Sequence, residues 1–189
     1  MPLIVGLGNP GPSYKNHRHN VGFMTVERLH GRVSGSEWRE RFRGLASRGV
    51  YAGTECHLLL PQTFMNLSGE SVLRAVTQFG AKPADILVAH DDLDLPFGDV
   101  RVKVGGGHGG HNGLRDITRV IGADYLRVRI GIGRPTIGTV EHFVLSPFTK
   151  EEGAELSGVI DRAVEALEGI IADGPSQAMN KTNVRPKKK

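Results

Sequence analysis

Short apolar runs that read as buried strands alternate with stretches of helical periodicity through almost the whole chain, and this alternation restricts the possible folds more than any single motif does. Leu3 to Leu7 is the first such run, and Gly8-Asn9-Pro10-Gly11 ends it in a tight loop. A helix is expected from Asn20 to His30. Two strands follow, Leu45 to Tyr51 and His57 to Leu60, with Gly53-Thr54 placed to turn a hairpin. Ser68 to Phe79 carries Val72, Leu73, Val76 and Phe79 at helical spacing, stopped by Gly80 and Pro83. Ile86 to Ala89 is another buried strand. Val100, Val102 and Val104 alternate with Arg101 and Lys103, as a strand with one wet face requires. A short helix is expected from Leu114 to Ile121, a strand from Tyr125 to Ile132, and a long helix from Lys150 to Ala172 with one apolar stripe. The pattern predicts an α/β fold: a single domain with a mixed, mainly parallel twisted sheet and helices on both faces. A chain of 189 residues fits one such domain, spanning residues 1–180, and would be cramped as two.

Charge says less than the net +4 suggests. Five positive charges, Lys181, Arg185, Lys187, Lys188 and Lys189, fall in the last nine residues, and the rest carries 19 basic against 20 acidic side chains. Residues 181–189 read either as a disordered, solvated basic tail or as an arm that touches a polyanion. A second basic cluster, Arg39, Arg41, Arg43 and Arg48 around Trp38 and Phe42, reads equally as a phosphate contact or a solvated face. No apolar run approaches the ~18 residues of a membrane span, and Met1 to Val5 lead into a strand with no basic signal region. The single cysteine, Cys56, has no internal partner and suits a reducing compartment. A cytoplasmic protein with no membrane contact is the expectation.

In open α/β sheets ligands gather beyond the carboxyl ends of strands, and the unusual residues of this chain fall there. Gly6-Leu7-Gly8-Asn9-Pro10-Gly11 satisfies the glycine spacing of a dinucleotide fingerprint. Pro10, however, has no N–H for a pyrophosphate, and the second strand of that motif is replaced by a helix. The same stretch reads as a bare turn or as a loop presenting Asn9 to a substrate. His17-Arg18-His19-Asn20 follows at the entry to the first helix, where His19 reads as a surface or capping histidine, the commoner use, or as a general base, since a histidine is the natural proton acceptor near neutrality. His90-Asp91-Asp92-Leu93-Asp94 closes a strand, where Asp91 could orient His19 or the acids could merely make a turn. Thr63-Phe64-Met65-Asn66 reads as a helix start with packed apolar side chains, or as a substrate contact in which Phe64 stacks and the Asn66 amide donates. Residues 105 to 113 hold six glycines around His108, His111 and Asn112, which favours a mobile loop or close approach to a ligand. His17, His19, His90, His108, His111 and the three aspartates could ligate a metal, but no Cys-x-x-Cys or His-Glu-x-x-His supports one. No Gly-x-Ser-x-Gly elbow points to a covalent nucleophile.

The order of these blocks resembles the bacterial peptidyl-tRNA hydrolase family over nearly the whole chain. The resemblance rests on Gly6 to Gly11, Arg18-His19-Asn20, Thr63 to Gly69, His90 to Pro96, Gly105 to Gly113 and Arg129-Ile130-Gly131-Ile132-Gly133. It implies a monomeric enzyme with no metal or organic cofactor and no obligate protein partner, which cleaves the ester between peptide and tRNA and so frees the tRNA for translation. His19 would activate water, Asp91 would orient it, and Asn9 would engage the peptidyl part. Asn66 and Asn112 would bind and polarise the substrate, together with Met65 and His111. Tyr14 and Phe64 would contact the acceptor end, and Lys103 and Arg129 the phosphates. Binding to tRNA phosphates is expected to weaken as salt rises. A non-catalytic RNA-binding protein of the same fold is the alternative.

Overall fold

The computed structural model describes residues 1–184. Seven strands form one sheet in the order β2-β3-β4-β1-β5-β7-β6. The strands are β1 (Leu3–Gly6), β2 (Arg39–Arg41), β3 (Gly44–Tyr51), β4 (Thr54–Pro61), β5 (Ile86–Asp92), β6 (Val100–Val104) and β7 (Leu126–Gly131). β1 runs parallel to β4 and β5, and β5 parallel to β7, while β2, β3 and β6 add antiparallel edges. The carboxyl ends of β1, β4 and β5 therefore sit side by side.

Strand alternation feeds two apolar layers. Leu3 and Val5 of β1 join Leu59, Ile86 and Val88 on one face, under α2 (Ser68–Phe79) and α3 (Asn112–Ile121). Ile4 joins Leu58, Leu60, Leu87 and Ala89 on the other, under α1 (Val21–Arg32) and α5 (Lys150–Asp173). α5 starts in a capping box, with Thr149 accepting from the Glu152 N–H and the Glu152 carboxylate accepting from the Thr149 N–H. The start of α1 lies almost on the backbone of the sheet: a β-carbon at Gly22 would stand 2.3 Å from the Ala89 carbonyl oxygen. Only glycine permits that approach, and it sets the turn before α1 over the end of β5.

Most elements match the sequence expectation, with differences where polar residues carry structure. β5 continues through His90, Asp91 and Asp92, because the ladder to Ile130 and Gly131 persists after the apolar run stops. The Arg39–Arg41 stretch is an exposed edge strand, turned into β3 through Phe42 and Arg43 at φ of 57° and 52°. Phe42 fixes that turn by meeting Phe79 edge-on at 5.3 Å. A five-residue helix, α4 (Val140–Val144), capped by Thr139, is too short to show periodicity. The expected domain end at residue 180 falls short of the packed chain. α6 (Pro175–Thr182) includes Lys181, which pairs with Asp173 at 2.7 Å, and the Asn183 side chain bonds both backbone groups of Val102. Arg185, Lys187, Lys188 and Lys189, on which the tail expectation rests, lie outside the described residues. Among the described residues no helix is long and apolar enough to cross a membrane.

Candidate active site

A cavity of about 660 Å³ opens beyond the carboxyl ends of β1, β4 and β5. Asn9 reaches it from the loop after β1, His19 from the 3-10 turn Arg18–Asn20, and Phe64, Met65 and Asn66 from the segment after β4. Asp91 comes from β5, Lys103 from β6, Arg129 from β7, and His111 with Asn112 from the start of α3. Tyr14 does not line the cavity. It meets Phe64 edge-on at 6.3 Å, bracing a ring that stands 56% exposed at the mouth.

Asp91 is the hub. Its Oδ2 and Oδ1 lie 2.8 and 2.9 Å from His19 Nδ1, and Oδ1 also lies 2.8 Å from His111 Nε2. Burial alone would raise this carboxyl, but the two imidazoles facing it outweigh burial and hold it well below the usual carboxylate range. An ionised Asp91 only accepts, so His19 must donate from Nδ1. Its Nε2 is then left as a lone pair at the cavity. His111 carries its proton on Nε2 for the same reason, since its Nδ1 accepts the N–H groups of Gly113 and Leu114 at 3.1 and 3.3 Å. His90 donates from Nδ1 to the Asp91 carbonyl at 2.7 Å, and its Nε2 is buried without a hydrogen-bond partner among the described residues. Of these three rings, only His19 presents a free basic nitrogen to the cavity.

Burial, reinforced by His111, holds His90 down to about 4, against 6.5 for a free imidazole. Between those values the unfolded chain binds more protons than the folded one, so stability is full above about 6.5 and is lost as pH falls toward 4. The expected loss from this group is about 3 kcal/mol. Urea midpoints measured across that range should fall steeply in the parent and less in His90→Gln; equal slopes would refute the assignment.

Asn9 and Asn20 are held as firmly, whereas Asn66 and Asn112 are exposed at the cavity, with Asn112 Oδ1 accepting from Arg115 at 3.2 Å. Asn20, which sequence reasoning passed over as part of a helix start, accepts the Asn9 N–H and donates to the Asn9 carbonyl, both at 2.9 Å. Asn9 Oδ1 accepts the Met65 N–H at 2.8 Å, which leaves its Nδ2 as the donor end. On the far side Arg127, 2% exposed, donates to the carbonyls of Gly106 and Gly107 and so pins the glycine-rich loop. Arg129 donates to Asp92 at 2.7 Å. Burial would raise the Asp92 carboxyl, but Arg129, the Asp94 N–H and His90 bring it below the ordinary value. The wall opposite includes Val140, Glu141, Val144 and Leu145, none of which any motif had suggested.

Of the residues that might have held a metal, His19, Asp91 and His111 are the group brought together among the described residues, with ligand atoms within 4.8 Å of one another. They already stand at hydrogen-bond spacing, so an ion between them would displace both contacts to Asp91.

An imidazole with one nitrogen tied to a buried carboxylate and the other open to a polar cavity is the arrangement used by hydrolases that activate water. The chain belongs to the peptidyl-tRNA hydrolase family, whose sequence profile, described as Peptidyl-tRNA hydrolase, matches residues 3–189. A peptidyl-tRNA hydrolase of Geobacter sp. is 51% identical over 185 residues, covering 97% of this chain and 98% of its own length. That of Syntrophotalea carbinolica is 47% identical over 188 residues, covering 98% of each. The crystal structure of peptidyl-tRNA hydrolase from Acinetobacter baumannii superposes with a TM-score of 0.91 at 43% identity, covering 97% of this chain and 95% of that one.

Proposed function

We infer that this chain hydrolyses the ester joining a peptide to the terminal ribose of tRNA, with His19 as general base and Asp91 as its orienting partner. The observation that carries the reading is the His19–Asp91 contact at 2.8 Å, with the other imidazole nitrogen turned to the cavity. His19 Nε2 takes a proton from water as the water oxygen attacks the ester carbonyl. The imidazolium, stabilised by Asp91, then returns the proton to the departing ribose oxygen. Products are free tRNA and a peptide carboxylic acid that ionises by releasing its proton to solvent, and no covalent enzyme intermediate is needed.

Asn66 and Asn112 offer side-chain amides to the carbonyl oxygen as negative charge develops on it. Asn9, with its Nδ2 as donor, engages the peptide carbonyl, a group that aminoacyl-tRNA lacks. Phe64, braced by Tyr14, and Met65 contact the acceptor end, and His111 keeps the Asp91 carboxylate in place beside it. Lys103 and Arg129 take phosphates, Arg129 with the part of its guanidinium that Asp92 leaves open. The chain acts as a monomer, and its single buried cysteine, which has no internal partner and suits a reducing compartment, supports a cytoplasmic location.

Purified protein is expected to release tRNA from N-acetylaminoacyl-tRNA through many turnovers. It should cleave the same ester with a free amine about 10²-fold more slowly, the scale of discrimination that a few buried polar contacts supply. Folded protein that releases no tRNA would overturn the reading.

A further inference from the structure

Arg18 adjoins the base in sequence, yet it does not line the cavity and the reaction makes no use of it. It is only 4% exposed. Nη1 donates to Ser146 Oγ at 2.9 Å and to the Pro147 carbonyl, and Nη2 donates to Glu152 at 2.5 Å. The Phe143 and Phe148 rings cover the guanidinium, with centroids 4.4 and 5.4 Å from Cζ. The Arg18 backbone N–H donates to Ser146, and His17 forms a β-bridge with Pro147.

Every one of these partners lies in the stretch from α4 to the first turn of α5. That stretch begins with the wall residues Val140, Glu141, Val144 and Leu145. Upstream of α4 the chain is mostly exposed, with Ile137 at 91%, so the wall is anchored mainly from its downstream end. A fork of donors that meets a hydroxyl, a carbonyl and a carboxylate at once needs a planar guanidinium; a lysine could satisfy one of them well.

We propose that Arg18 is a positioning residue that fixes the α4 wall of the cavity against the turn carrying His19, and so sets how tightly the wall holds the substrate. The proposal rests on the ester-hydrolase reading of the cavity. His19 is held separately by Asp91, so loosening the wall should weaken binding and leave the chemical step nearly intact. Arg18→Lys is expected to raise KM for N-acetylaminoacyl-tRNA about 10-fold while kcat stays within about threefold and the pH profile of kcat keeps its shape. Glu152→Gln keeps an oxygen acceptor for both Arg18 and the Thr149 N–H and removes only the charge, so KM should rise about threefold. Amide hydrogen exchange over residues 140–147 should quicken in both variants.

Folded Arg18→Lys with the parent KM, or with kcat cut tenfold at the parent KM, would overturn the proposal. If Arg18→Lys does not fold, a parental KM in Glu152→Gln overturns it equally. Turnover by the parent keeps the two readings apart. A parent that turns over beside variants with unmoved KM removes Arg18's assignment alone. A parent that does not turn over removes the ester reading, and the exchange rates over 140–147 still decide whether Arg18 holds the wall.

Discussion

Replacing His19 with alanine is expected to lower kcat on N-acetylaminoacyl-tRNA by about 10²–10⁴-fold, the usual worth of a positioned general base, with KM nearly unchanged. The split between the two constants follows from what His19 touches. Its Nδ1 is committed to Asp91, and its Nε2 meets only the attacking water and the departing oxygen, so its contribution arises as protons move. On the proposed reading, binding comes from other groups: the asparagines, the Phe64 ring, Lys103 and Arg129. The neighbouring histidines cannot take over. His111 has spent Nδ1 on α3 and Nε2 on Asp91, and His90 has Nδ1 on a carbonyl and its other nitrogen buried. A fall below about tenfold in single-turnover rate would mean that another base serves the water and would remove His19 from its role. A variant with parental kcat and raised KM would do the same.

How far the sequence reaches is clearest at particular residues. The bounds of α2, Ser68–Phe79, and of β6, Val100–Val104, are legible because apolar residues recur at helical spacing up to the Gly80 stop in the first and alternate with charged residues in the second, although Leu73 and Val104 end up exposed. β2 has three exposed charged residues and turns at Phe42-Arg43, where no glycine or asparagine marks the left-handed backbone, so no local signal exists. β5 was legible only to Ala89 because its last residues face the cavity and are polar, and it is those residues that matter for chemistry. Loops and order along the chain bring Asn9, His19, Asn66, Asp91 and Asn112 into view, and the fold gathers all five around one cavity. The pairing of His19 with Asp91 across 72 residues was expected, but the contact of His111 with the same carboxylate across 20 residues was not, because nothing local says that one carboxylate receives both. Asn20 shows the same limit: its partner Asn9 lies 11 residues back, joined to it only by the turn before α1.

Changing Asp91 to asparagine tests that shared carboxylate directly, and kcat should fall by about 10²–10⁴-fold, by no more than it falls in His19→Ala, in a protein that remains folded. The replacement keeps the shape but removes the charge and one of two acceptor oxygens. The native carboxylate accepts from His19 with both oxygens and from His111 with one, and an amide has a single oxygen to offer. If that oxygen stays with His111, the amide N–H₂ faces His19 Nδ1. A donor there forces the imidazole to move its proton to Nε2, which removes the lone pair that water needs. If the oxygen turns to His19, His111 loses its acceptor and the imidazolium formed in the reaction still lacks a negative neighbour. Either arrangement impairs the same step, so KM should change little. Because Asp91 acts only through the ring, the combination with His19→Ala should be scarcely slower than His19→Ala alone. Additive losses in that double variant would show that Asp91 touches the substrate itself. An Asp91→Asn enzyme within about tenfold of the parent would show that the ring holds its working tautomer without the carboxylate.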